Sequence, residues 1–173
     1  MDWNWDWDWI DIVLRLGAAV GVGMVIGLNR DLTRKPMGMR TLGMVALGAA
    51  VVSLAAIQFA DLAAHPDPLS RVVQGIVQGI MAGISFIGAG VILHDARGGR
   101  VHGLTTAATV WVTAALGIAC GLGAWRIVLV AVILTLLLLV VVGWLEERFG
   151  LMGEAHYGHP QNDRRDDRRS DSK

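Results

Sequence analysis

The chain has 173 residues, 54% of them apolar, and its 15 basic and 15 acidic side chains leave a formal net charge of zero. No basic field therefore argues for nucleic acid, and a lone cysteine, Cys120, excludes an internal disulfide and any zinc site of the multi-cysteine kind. The apolar residues run unbroken from Ile12 to Leu28, Thr41 to Ala60, Val72 to Leu93, Leu104 to Leu122 and Ile127 to Leu145, which excludes an ordinary soluble domain with interleaved charges.

Each stretch matches the about 20 residues that an apolar helix needs to cross a bilayer. Only Arg15 is charged inside any of them. The expected fold is all-α, a polytopic membrane protein of five transmembrane helices, with the lipid bilayer as its first partner. Its expected parts are a periplasmic interfacial segment at 1–11, a transmembrane domain at 12–145 and a flexible cytoplasmic tail at 146–173.

At the N-terminus Trp3, Trp5, Trp7 and Trp9 alternate with Asp2, Asn4, Asp6 and Asp8. An isolated strand at a membrane has no pairing partner, whereas tryptophan is favoured at headgroup depth, so the segment reads as an interfacial anchor. It is acidic and lacks a basic n-region, which does not fit a secretory signal peptide. In the first span Arg15 follows Asp11 by one helical turn, a spacing at which the pair meets on one face. Gly17 and Gly21, then Gly23 and Gly27, repeat the small-residue spacing of closely packed helices.

The loop from Asn29 to Arg40 is basic, and Lys and Arg beside span ends favour the cytoplasmic side. That orientation puts the N-terminus outside and the C-terminus inside. Pro36 and Gly38 make the turn. Asn29, Arg30, Asp31, Lys35 and Arg40 then share the inner rim with Asp95, Arg97 and Arg100 of the turn after the third span, an expected polar cluster. At the outer rim Asp67 and Arg71 are the expected pair.

The second span is rich in Ala and Gly, polar only at Ser53 and Gln58, and stopped by Pro66 and Pro68. In the third, Gly75, Gly79 and Gly83 fall on one helix face, with Gln74 and Gln78 each one residue before a glycine. Such a face is expected to pack against protein, which makes this the central helix of the bundle. The expected helix-packing motif comprises Gln74, Gly75, Gln78, Gly79, Gly83, Phe86, Gly88 and Gly90, then Gly103, Thr105, Thr106, Thr109 and Thr113 in the fourth span. Thr106, Thr109 and Thr113 are three and four apart and share a face. The fifth span is almost all Leu, Val and Ile, the composition of a lipid-facing helix. From Glu146 the chain is too polar to bury a core, and His156 and His159 lack a third ligand. No cofactor or metal is expected.

Six stretches together resemble the MgtC/SapB family of bacterial inner-membrane proteins: GLNRD at 27–31, KPMGMRT at 35–41, RVVQGI at 71–76, GISFIGAGVIL at 83–93, GLTTAATVWVTAALG at 103–117 and ACGLG at 119–123. The resemblance implies a multi-span fold and a link to growth in scarce magnesium and survival inside host cells. Asn29 stands where the family usually has a glutamate, and Ser85 where glycine is common. Longer members carry a soluble cytoplasmic domain after the last span, so the function is expected in the membrane part.

Two functions compete. A Mg²⁺ or other cation transporter needs carboxylates or carbonyl rings along a pore, because Mg²⁺ gives up its water reluctantly. No Asp or Glu lies at mid-depth. The favoured reading is a regulator that binds another membrane protein, or a second copy, through glycine-lined faces. An enzyme fits least: GISFIGAG lacks the lysine ending of a phosphate loop and lies inside an apolar span.

Overall fold

The apolar stretches fold as five α-helices in chain order: α1 Trp5–Leu32, α2 Met39–Asp61, α3 Pro66–His94, α4 Leu104–Gly121 and α5 Trp125–Arg148. The computed structural model describes residues 5–61, 66–94 and 103–148, with side-chain surroundings given for 9–57, 71–92, 103–145 and 148. All five helices are long and apolar enough to cross a membrane. A helix satisfies its backbone polar groups within its own segment, as hydrocarbon requires, and the described residues contain no strand. The side chains of Trp3, Trp5, Trp7, Asp67, Asp95, Arg97 and Arg100, and the tail at 149–173, lie outside the described residues.

At 28 residues, α1 is about 42 Å long, more than the about 30 Å of hydrocarbon it crosses. It starts ahead of Ile12, so the segment expected as a separate interfacial anchor is helical from Trp5 onward.

The expectation that α3 occupies the centre is corrected. The central element is α4, which touches α1, α2, α3 and α5. More than half of its span is buried (56%), against 6% for α3 and 6% for α5. The reason lies in which residues meet. On α3 the ridge of Val77, Ile80, Met81 and Ile84 packs on Ala49, Ala114 and Ile118. Gln74, Gly75, Gln78, Gly79 and Gly83 are turned the other way and are exposed.

The close joints use other glycines. A methyl added at Gly23 would strike the backbone of Leu42, one at Gly27 the backbone of Met39, one at Gly117 the backbone of Ala46 and one at Gly121 the carbonyl of Ala50. Gly23 and Gly27 seat α1 on the start of α2, while Gly117 and Gly121 seat α4 on its middle. In lipid, where no hydrophobic gain drives helices together, this backbone proximity is the main source of cohesion. Gly17, Gly21, Gly75, Gly79, Gly83 and Gly90 have nothing within 4 Å of such a methyl.

Two turns are closed alike. After α1, Lys35 N–H donates to the Arg30 carbonyl at 2.9 Å and Arg34 N–H to the Asp31 carbonyl at 3.1 Å. After α4, Ala124 N–H donates to Ala119 at 2.9 Å and Gly123 N–H to Cys120 at 3.0 Å. Both pairs are the Schellman pattern, which requires a left-handed residue at the second donor. Gly123 (φ 71) fills that place without strain, and Arg34 (φ 53) fills it with a side chain.

Candidate functional site

Polar side chains gather at the rim where α1 ends, α2 begins and α4 begins. Arg30 stands in the last turn of α1, where a cation faces the negative end of the helix dipole. Its side chain is 1% exposed. One nitrogen, Nη2, donates to the Thr106 hydroxyl on α4 and, at 3.3 Å, to the Pro36 carbonyl in the loop. Nε and Nη1 have no acceptor among the described residues. Arg30 thereby ties the end of α1, the loop and the first turn of α4 into one unit.

Its neighbour Asp31 points the other way. Asp31 Oδ2 accepts the Met39 N–H at 3.0 Å, so a carboxylate sits at the positive end of α2 and satisfies one of its orphan donors. A methyl at Gly38 would meet this carboxylate, so Asp31 would have to shift to admit it. Asp31, Gly38, Met39, Arg40 and Thr41 line an open depression of ≈ 350 Å³.

The other expected rim residues divide. The Asn29 carbonyl accepts the Thr33 hydroxyl at 2.9 Å. Lys35 is half-buried and Arg40 exposed. Arg71 is exposed at the opposite rim.

Of the expected packing motif, Thr106, Thr109 and Thr113 are buried as a stripe on α4. Their hydroxyls do not form a chain. Thr109 donates to the Thr105 carbonyl at 2.7 Å and Thr113 to the Thr109 carbonyl at 2.8 Å, each back onto its own helix. Gly88 is buried, and a methyl added there would lie 3.5 Å from the Ala107 side chain, while one at Gly103 (φ 83) would press on Val91. Phe86 is 82% exposed.

The sequence reading of Arg15 stopped at its pair with Asp11, here 2.6 Å between Nε and Oδ2. It missed that Arg15 Nη1 also donates to the Gly121 carbonyl at 3.1 Å, at the far end of α4. Fifteen residues separate Arg15 from Arg30 on α1 and Thr106 from Gly121 on α4. The two arginines therefore clamp the antiparallel helices at both ends of a run of about 22 Å. That equal spacing is the signal that the sequence offers. Among the described residues, no three of His, Cys, Asp and Glu come together to hold a metal.

A multi-pass helical membrane protein, locked by glycine joints and clamped at both rims by arginine, is the class that this fold and site define. The MgtC family profile matches residues 16–148, and the chain belongs to that family. It is 47% identical to protein SrpB of Synechococcus elongatus over 72% of the chain and 71% of SrpB. It is 40% identical to protein MgtC of Salmonella typhimurium over 72% of the chain and 49% of that protein. With protein SapB of Bacillus subtilis the identity is 34%, over 81% of the chain and 60% of SapB. The chain thus spans about half to three fifths of the length of two of these relatives. No solved structure matches it.

Proposed function

We propose that the chain is a non-enzymatic regulator, active in adaptation to low magnesium or host-cell stress, that binds another membrane protein through the outward face of α3. One observation carries this reading. The glycines that hold the bundle together are Gly23, Gly27, Gly117 and Gly121, whereas Gly75, Gly79 and Gly83 leave open space beside exposed Gln74 and Gln78. An amide on a lipid-facing surface is costly without a partner, and small residues beside it let a second helix come close enough to provide one.

The competing cation path is less well supported. The hydroxyls of Thr109 and Thr113 are engaged on their own helix. The group buried where that stripe reaches the rim is the guanidinium of Arg30, which repels cations.

Photo-cross-linkers placed at Gly75 and Gly79 in cells test the proposal, with Leu137 on α5 as the lipid-facing control. The expected result is a discrete membrane-protein adduct from α3 alone, which Gly79→Leu abolishes while the protein stays folded. Identical adducts from all three positions, or none from α3, would end this reading.

A further inference from the structure

Among the described residues, the N-terminus of α4 lacks the partner that such an end normally has. Gly103 precedes it with φ 83, no side chain caps it, and its first turn contains no acid. The N–H groups of Leu104, Thr105 and Thr106 have no acceptor within the helix and carry the positive end of its dipole. Leu104 is 58% exposed and Thr105 is exposed, so this end opens outward from the bundle.

Behind it lies Arg30, 1% exposed and joined through Nη2 to the hydroxyl of Thr106 in that same turn. Its Nε and Nη1 are buried without acceptors among the described residues. Two positive groups therefore converge on one point in a low-dielectric setting, where an uncompensated charge is strongly disfavoured. Asp31, the acid of this rim whose side chain is described, is engaged with the Met39 N–H.

We infer that the first turn of α4, backed by Arg30, is an anion site that takes one phosphate-type oxyanion. In the bilayer its source is the phosphodiester of an anionic lipid. Oxyanions accept hydrogen bonds from a helix N-terminus without further machinery, and the negative charge offsets the buried guanidinium that is bonded to Thr106 in that turn. α4 has 18 residues, or about 27 Å, close to the about 30 Å of hydrocarbon. Its first turn accordingly meets the headgroup layer, where lipid phosphates are concentrated.

The purified full chain is placed in nanodiscs of phosphatidylcholine alone, of phosphatidylcholine with phosphatidylglycerol, or of phosphatidylcholine with added inorganic phosphate. Melting temperature and phosphatidylglycerol retained per protein by native mass spectrometry are read. Phosphatidylglycerol raises the melting temperature, and Arg30→Gln weakens its retention about tenfold, through loss of the buried positive charge behind the site rather than of a direct contact. Should Arg30→Gln fail to fold, Thr105→Asp reads the site, because a built-in carboxylate occupies the free N–H groups. That variant is expected to be stable in phosphatidylcholine and to stop retaining phosphatidylglycerol.

Stabilisation by inorganic phosphate alone would support the same oxyanion chemistry with a soluble source. Equal melting in all three conditions, or retention unchanged in both variants, would overturn the site. So would Asp95→Asn, or Glu146→Gln with Glu147→Gln, matching the loss in Arg30→Gln with no dependence on lipid or phosphate. The counter-charge would then come from the chain itself.

Discussion

Thr106 and Thr113 lie on one buried stripe of α4, yet their hydroxyls have different partners. Thr113 returns its hydrogen bond to the Thr109 carbonyl, so Thr113→Val is expected to cost at most about 1 kcal/mol. Thr106 accepts from the buried guanidinium of Arg30. Thr106→Val strips an acceptor from a charged group and is expected to cost about 2 kcal/mol. Unfolding in mixed micelles measures both, and equal losses would show that Arg30 does not depend on Thr106. The spacing of the threonines made their shared face legible in the sequence. Which hydroxyl met an arginine was not, because that contact joins residues seventy-six positions apart.

At the scale of helices, the glycine pattern announces close approach without naming the neighbour. Gly117→Ala puts a methyl into the backbone of Ala46, an overpacking that α2 and α4 relieve only by moving apart, at about 2 kcal/mol. Gly79→Ala meets nothing within 4 Å, and its effect is expected within about 0.5 kcal/mol. The same micelle titration compares the two. If Gly79→Ala proved the more damaging, α3 would pack by its glycine face after all. Glycine spacing in the sequence pointed to Gly75, Gly79 and Gly83 as the central face and did not single out Gly117 and Gly121. The Val77, Ile80, Met81 and Ile84 ridge decided the matter, by packing on α2 and α4 and turning Gly75, Gly79 and Gly83 outward.

For the whole molecule, the transport question comes down to what the interior offers a hydrated ion. Along the α4 stripe it offers hydroxyls already bonded within their helix and, at one end, a buried cation. Vesicles containing the purified protein are therefore expected to take up no more Mg²⁺ than empty vesicles, read with an internal magnesium dye. Uptake abolished by Thr109→Val would reverse that expectation and establish a path through the bundle.

The number of helices followed from the sequence, because crossing hydrocarbon depends on local quantities, a run of apolar residues and a backbone that must bond to itself, whereas α1 and α3 extend well past their apolar runs. The Asp11–Arg15 pair was legible for the same reason, being a matter of neighbours along the chain. Only the tertiary structure decided that α4 and not α3 is central, that Arg30 is buried, and that Arg15 reaches Gly121. Those outcomes depend on which helix faces meet. In a bilayer, where apolar surface is equally at ease against lipid or protein, side-chain shape decides that and hydrophobicity does not.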